Sequence, residues 1–220
     1  MNEMNFEKAR HNMVEQQIRA WTVLDTRVLD AIESLPRENF VPAKFKKMAY
    51  SDVAISLDHD QKMMCPKIEA HAAQALNLST SSKVLEIGTG SGFLTALLAT
   101  LSAHVDSVDI HTDFQKSASE KLKKLGINNF TMIEGDASQG WGEADQYDAI
   151  VITGALPELP EQYKYALTIG GNLFVFIGEG LTMQATVIHR SHGNKWETTS
   201  LFETEIPTLI NAETPQTFVF

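Results

Sequence analysis

The sequence predicts an α/β fold in which helices cover both faces of a mainly parallel sheet, behind an N-terminal helical extension. Strand-like and helix-like segments alternate from residue 80 onward, which is the pattern of repeated β-α-β units. Residues 84–94, VLEIGTGSGFL, run from an apolar strand through three closely spaced glycines into a helical stretch. Residues 147–155, YDAIVITGA, form a continuous apolar run that is typical of a strand buried on both faces. We expect the end of this second strand to lie beside the glycines.

The N-terminal extension contains two predicted helices followed by a loop region. Apolar residues recur at helical spacing over residues 9–20 and 25–35, and Asp25 is placed to cap the second helix. Pro36 and Pro42 end that helix and impose an extended turn. The rest of the extension is predicted to comprise a short strand at 53–57, a polar run at 58–62 and a helix at 67–76 that begins at Pro66.

The elements after the glycines alternate between helix and strand. Gly126 is placed to end one of these helices, and Gly170 with Gly171 to end another. The predicted helices cover residues 93–102, 113–125 and part of 156–167. The predicted strands cover residues 104–110, 130–133, 147–155 and 173–177, followed by short antiparallel strands at 185–189, 198–202 and 218–220.

The glycine loop predicts a nucleotide cofactor. Gly88, Gly90 and Gly92 allow a sharp turn and a close approach of the backbone to a ligand. A dinucleotide fingerprint would need its third glycine at the position of Phe93, so the spacing argues against NAD. Glu86 precedes the loop, and a carboxylate there suits a cationic ligand such as a sulfonium better than a pyrophosphate. A glycine-rich turn without a ligand is the alternative.

Acidic residues follow at positions that suit the rest of such a cofactor. Asp109 ends a strand about twenty residues beyond the first glycine, where a carboxylate can accept both ribose hydroxyls. Asp136 could receive the adenine amino group, although an Asp in a Gly-Asp pair can also simply form a turn. A solvated strand end is the corresponding alternative for Asp109. The small residues at 153–155 are expected to line the same pocket.

Composition excludes several classes of function. The formal net charge of −10 and a pI of about 5.1 disfavour a nucleic-acid surface. The single Cys65 excludes an internal disulfide framework, and the N-terminal residues lack a secretory signal, so a cytoplasmic location is expected. No apolar run approaches the roughly twenty residues that cross a bilayer, so no membrane role is expected. The seven histidines are scattered along the chain and give no support for a metal centre.

Several motifs together resemble the protein-L-isoaspartate O-methyltransferase family, within the class I S-adenosylmethionine-dependent methyltransferases. They are MVEQQI at 13–18, VLDAI at 28–32, PRENFVP at 36–42, AYSD at 49–52, VLEIGTGSG from 84, the acid at Asp109, and GD at 135–136. The resemblance covers most of residues 10–180. It implies a Rossmann-like, doubly wound, seven-stranded sheet and methylation of the abnormal carboxylate of isoaspartyl residues in damaged proteins.

The resemblance also implies one methyltransferase domain over residues 1–220 and a set of cofactor residues. The N-terminal helices and substrate loop would occupy 1–80, the cofactor-binding core 81–180 and the C-terminal strands 181–220. The residues implied to bind S-adenosylmethionine are Glu86, Gly88, Thr89, Gly90, Ser91, Gly92, Asp109, Ile110, Asp136, Ala137 and Gly154.

The predicted substrate loop departs from the family pattern. The family reads G-Q-T-I-S before x-P, whereas residues 60–66 read DQKMMCP, so Gln61 and Pro66 match and Met64 replaces the serine. A thioether cannot donate a hydrogen bond to an acceptor carboxylate, so no catalytic residue is assigned. A carboxylate with a pKa of about 4 is already ionised and needs no base. Gln61, Lys62 and Met64 are therefore predicted to line the acceptor site.

Two alternatives to isoaspartyl methylation stay open at this point. The flexible apolar side chains of Met63 and Met64 could favour a small-molecule acceptor that is less polar than a peptide carboxylate. A non-catalytic module that binds S-adenosylmethionine would also keep the cofactor motifs while its substrate loop changed.

Overall fold

The computed structural model describes residues 5–212, and its centre is a seven-stranded sheet. The strand order is β5-β4-β3-β6-β7-β8-β9, in which β3 to β7 are parallel and β8 runs antiparallel to both of its neighbours. The strands are β3 (Lys83–Ile87), β4 (His104–Asp109), β5 (Phe130–Glu134), β6 (Tyr147–Leu156), β7 (Leu167–Ile177), β8 (Gln184–His192) and β9 (Lys195–Glu203). The predicted fold class is confirmed. The strand predicted at 218–220 lies outside the described residues.

The N-terminal extension is helical, as predicted. Helix α1 (Phe6–Met13) continues into a π-helical turn (Val14–Ile18) and a 3-10 turn (Arg19–Trp21), and α2 spans Thr26–Ser34. The Asp25 side chain caps α2 by accepting a hydrogen bond from the Arg27 amide at 2.9 Å. Two 3-10 turns follow (Arg37–Asn39 and Ala43–Met48), and then a hairpin of β1 (Ile55–Ser56) and β2 (Lys62–Met63).

The remaining helices connect the strands of the sheet. They are α3 (Pro66–Ala75), α4 (Phe93–Leu101), α5 (Thr112–Lys124) and α6 (Glu161–Ala166). Pro66 occupies the first turn of α3, and Gly126 follows α5 with a φ of +77°. No helix within residues 5–212 is long and apolar enough to span a bilayer.

The prediction that Gly170 and Gly171 end a helix is wrong, because both lie inside β7. The strand begins at Leu167, directly after α6, and its pairing with β6 shifts register near the two glycines. Gly170 has a φ of +86°, and a Cβ on Gly171 would lie 2.8 Å from the Asp148 carbonyl oxygen. The two glycines therefore allow an irregular, close pairing between β6 and β7 and do not end a helix.

The core forms two apolar layers, one on each face of the sheet. Side chains that alternate along the strands point to opposite faces, so Val84 packs towards the N-terminal helices with α3, α4 and α5. Leu85 and Ile150 belong to the opposite layer, which contains residues of α6. This sandwich leaves the carboxyl ends of the parallel strands open at one edge, where a ligand can bind.

Candidate active site

A cavity opens at the carboxyl edge of the parallel strands. Its walls come mainly from the segments after β3, β4 and β5, from Thr153 and Gly154 within β6, from the β1–β2 hairpin, and from residues 205–210. The predicted site residues that line it are Gln61, Lys62, Met64, Gly88, Thr89, Gly90, Ser91, Asp109, Ile110, Asp136, Ala137 and Gly154. Predictions made from separate motifs therefore converge on one cavity. Their roles in binding stay predictions.

The glycine loop has the backbone conformation that its sequence predicts. Gly88, Gly90 and Gly92 have φ values of +92°, +48° and +84°. A Cβ on Gly88 would collide with the Thr153 hydroxyl, which donates hydrogen bonds to the carbonyl oxygens of Ile87 (2.9 Å) and Gly88 (3.0 Å). The end of β6 thus holds the start of the loop.

Glu86 and Gly92 are the two predicted cofactor residues that do not line the cavity, and Ala155, which was also expected to line the pocket, is buried outside its wall. The Glu86 side chain is fully buried behind the loop, where the hydroxyls of Thr95 and Ser107 each donate to Oε2 at 2.5 Å. Oε1 has no hydrogen-bond partner among residues 5–212. Burial raises the pKa of Glu86 to about 8, although the two hydroxyls oppose this shift. The direct contact expected of Glu86 is therefore not supported by its position.

Gly92 starts α4 and touches α5 instead of the cavity. A Cβ on Gly92 would lie 2.6 Å from the Ala118 Cβ. We expect Gly92→Ala to lower the free energy of unfolding by about 1 kcal/mol for the positive φ and by about 1 kcal/mol more for the clash. Gly126→Ala is the matched control, because its φ is also positive but nothing lies within 4 Å of the added methyl group. Equal losses in urea unfolding of the two variants would contradict the packing role of Gly92.

Asp109 connects the end of β4 to the glycine loop. The Gly90 amide donates to its Oδ2 at 3.0 Å, and the His111 amide donates to its Oδ1 at 2.8 Å. The residue is 8% exposed and lines the cavity. Each carboxylate oxygen can accept a further hydrogen bond, so Asp109 can still receive a pair of hydroxyls. This geometry is compatible with the predicted ribose contact.

Asp136 follows β5, lines the cavity and is exposed. The Ser138 amide donates to its Oδ1 at 2.9 Å and the Asn211 side chain donates to its Oδ2 at 2.8 Å. These bonds, the Ser138 amide first, lower the pKa of Asp136. The carboxylate is therefore a fixed, ionised acceptor, which is compatible with an amino group as its ligand.

A C-terminal strap, residues 204–211, covers part of the cavity and was not predicted from the sequence. The Ala155 amide donates to the Pro207 carbonyl at 2.9 Å, and the Leu209 amide donates to the Ala155 carbonyl at 2.8 Å. The strap passes so close to Gly154 that a Cβ there would lie 2.9 Å from the Leu209 Cα. Because the strap has no apolar periodicity, the sequence offers no signal for its path.

The β1–β2 hairpin contacts the start of α5 through two histidines. His59 Nε2 lies 2.9 Å from Asp113 Oδ2, and the rings of His59 and His111 stack with centroids 4.0 Å apart. The buried Nε2 of His111, at the cavity edge, has no partner in the described part of the chain. Although the histidines are scattered in the sequence, these three residues bring possible metal-ligand atoms within 4.8 Å of one another.

A buried ion pair lies behind the acceptor side of the cavity. Arg37 is fully buried and pairs through Nη1 with Glu69 Oε2. Its Nε donates to the Ala49 carbonyl at 2.9 Å, and its Nη2 donates to the Met64 carbonyl at 2.6 Å. Glu69 is only 2% exposed but belongs to the cavity wall. This pair was not predicted from the sequence, although an acid on the apolar side of the helix predicted at 67–76 is a signal for a buried partner.

The chain is similar to known methyltransferases along most of its length. The family model described as protein-L-isoaspartate(D-aspartate) O-methyltransferase matches residues 8–213, which extends the likeness beyond residue 180. A protein-L-isoaspartate O-methyltransferase from Protochlamydia amoebophila is 35% identical over 206 residues, covering 93% of this chain and 98% of that protein. Another from Pectobacterium atrosepticum is 40% identical over 163 residues, covering 74% of this chain and 78% of that protein.

A solved structure shares the fold. The crystal structure of a Plasmodium falciparum protein assigned as a protein-L-isoaspartate O-methyltransferase, in complex with S-adenosyl-L-homocysteine, matches with a TM-score of 0.78 at 22% identity. The match covers 94% of this chain and 99% of that chain. The family model and the sequence relatives show that the chain belongs to the protein-L-isoaspartate O-methyltransferase family.

Proposed function

We propose that the protein transfers the methyl group of S-adenosylmethionine to the side-chain-linked carboxylate of an isoaspartyl residue in a protein or peptide. One observation carries the proposal: the glycine loop, Asp109 and Asp136 share a cavity with the substrate-loop residues Lys62 and Met64. A cofactor and an acceptor can therefore meet at one edge of the sheet. Relatives at 35–40% identity bear the name of this activity, which supports the proposal.

The residues present fit S-adenosylmethionine. The loop at Gly88 and Gly90 leaves no side chain between backbone and ligand, and Asp109 and Asp136 offer carboxylate acceptors in the cavity wall. The buried Nε2 of His111 is a further polar atom that lacks a partner within residues 5–212. When bound, the cofactor would supply an electrophilic methyl group on a sulfonium ion.

An ionised carboxylate needs no base to accept a methyl group. The residues around the acceptor therefore need only to orient it and to exclude water. Lys62 lines the cavity, and its ammonium makes no ion pair with any other described residue, so it is available to the acceptor carboxylate. Gln61 is less available, because its amide donates to the His59 carbonyl at 3.0 Å within the hairpin. Met64 is 7% exposed and contributes an apolar wall.

Met64→Ser is expected to raise kcat/KM for an isoaspartyl peptide about tenfold at pH 8. A hydrogen bond to a charged group contributes about 1.5–3 kcal/mol, and the thioether supplies none. Cys65→Ser is the matched control, because Cys65 is adjacent in sequence but does not line the cavity. A fall in kcat/KM for Met64→Ser would contradict the proposal, because it would mean that the acceptor packs against the apolar thioether.

A small-molecule acceptor is the second candidate, and the apolar side chains of Leu57, Met63 and Ile206 in the cavity wall favour it. Methyl transfer to an isoaspartyl peptide, with the matched aspartyl peptide as control, distinguishes the candidates. Selective labelling of the isoaspartyl peptide is expected. No labelling, together with measurable S-adenosylhomocysteine binding, would favour a different acceptor or a non-catalytic binding module. The cytoplasmic location stays a prediction, which cell fractionation tests.

A further inference from the structure

Glu69 lines the cavity together with the substrate-loop residue Met64. The Arg37 guanidinium donates both to Glu69 Oε2 and to the carbonyl of Met64, which holds the position of the family serine. Glu69 therefore lies beside the part of the wall where the family places a hydrogen-bond donor. Arg37 occupies Oε2, whereas Oε1 accepts no hydrogen bond from any residue in 5–212. One carboxyl oxygen is left for a ligand.

The charge of this pocket changes when an anionic acceptor enters. Arg37 is always charged, and an ionised Glu69 makes the buried pair neutral. Two other titratable groups interact with Glu69, the carboxyl of Glu86 on β3 and the thiol of Cys65 before α3. The ammonium of Lys62 lines the same cavity. An acceptor carboxylate beside Glu69 would place two carboxylates in one desolvated site, which favours protonation of one of them.

We propose that Glu69 takes up one proton when the acceptor carboxylate binds and then donates an O–H hydrogen bond to it, in place of the family serine. This inference rests on the proposed function. The Arg37 charge is then balanced by the acceptor carboxylate instead of by Glu69. During transfer the sulfonium S–C bond breaks and a C–O bond forms to the acceptor. Glu69 keeps its proton until the ester leaves, and the proton then returns to solvent.

The environment of Glu69 makes this proton uptake accessible near neutral pH. Burial raises the pKa of Glu69 to about 7, although Arg37 opposes the shift. A neutral carboxylic acid in an apolar site is an effective hydrogen-bond donor to an anion. Glu69 therefore offers the donor that Met64 lacks, but only below the pH at which it ionises.

The pH dependence of KM for an isoaspartyl peptide tests the inference. For the unmodified protein we expect KM to rise about tenfold per pH unit well above pH 7, because only the protonated fraction binds the acceptor. Glu69→Gln should give a flat profile and a lower KM than the unmodified protein at pH 8.5, because its amide always donates. Glu38→Gln is the control, since Glu38 bonds to Tyr50 outside the cavity wall and should leave the slope unchanged.

Proton uptake gives a second, direct readout. Peptide binding to the S-adenosylhomocysteine complex at pH 8, measured by calorimetry in buffers of different ionisation enthalpy, should take up about one proton. Glu69→Gln should take up none. Affinity for S-adenosylhomocysteine and the thermal midpoint report whether the variant is folded. If Glu69→Gln is unstable, Met64→Ser, which keeps the buried ion pair, should make KM less dependent on pH, because its hydroxyl donates at every pH.

The outcomes separate this inference from the proposed function. Loss of transfer at every pH in folded Glu69→Gln would overturn the inference, because it would make Glu69 a base for a proton-bearing acceptor. Transfer with the same pH slope in both proteins would also overturn it. Failure of the unmodified protein to methylate the peptide at any pH would overturn the proposed function, and this inference with it.

Discussion

Replacement of Arg37 by methionine is expected to lower the free energy of unfolding by about 3–5 kcal/mol. The guanidinium is fully buried, pairs with Glu69, and donates to two backbone carbonyls. Its removal leaves a buried carboxyl without its cation and two carbonyls without their donor. Because burial favours the neutral carboxyl in the folded state, the loss should be greatest at alkaline pH, where the unfolded state holds Glu69 ionised.

Urea unfolding of paired variants measures this effect. Arg19→Met is the matched control, because the ion pair of Arg19 with Glu15 is exposed. It should contribute about 0.5 kcal/mol or less to the free energy of unfolding. The double variant Arg37→Met with Glu69→Met should recover much of the stability, since an apolar pair can replace a buried ion pair. A single-variant loss no larger than that of Arg19→Met would contradict the structural role of Arg37.

Asp109→Ala is expected to weaken S-adenosylhomocysteine binding ten- to a hundredfold, or by about 1–3 kcal/mol. The variant removes the proposed ribose acceptor and also the partner of the Gly90 and His111 amides. Calorimetric titration measures the affinity directly. Lys116→Ala, on the surface of α5 and outside the cavity wall, is a control that should bind normally. Unchanged affinity in Asp109→Ala would exclude Asp109 from the cofactor site.

Local chemistry made the centre of the fold predictable. The apolar strand before Gly88, the positive φ values that only glycines adopt easily, and the buried strand at 147–155 each have a direct physical cause. Asp25 predicted a helix start because its side chain can accept a hydrogen bond from an amide in the first turn of the helix. The prediction for Gly170 and Gly171 was wrong because glycine occurs both at helix ends and in irregular strand pairs. Only the neighbouring strand in the folded protein determines which of the two structures forms.

The acceptor side was less predictable because it is assembled from distant segments. Arg37 and Glu69 are far apart in sequence, and nothing local to either indicates that they pair in the interior. The same holds for His59 and His111, which stack across the cavity edge. Met64 could be located from its motif, whereas the group that can substitute for the serine became visible only in three dimensions.

The location of the transferred methyl group tests the proposed activity most directly. An isoaspartyl peptide with a free N-terminal amine, incubated with the protein and S-adenosylmethionine, should gain one methyl group that fragmentation places on the isoaspartyl carboxylate and that alkali removes, as expected of an ester. The matched aspartyl peptide should gain none. Equal labelling of both peptides, or a methyl group that survives alkali on another atom, would contradict isoaspartyl carboxyl methylation as the function of this protein.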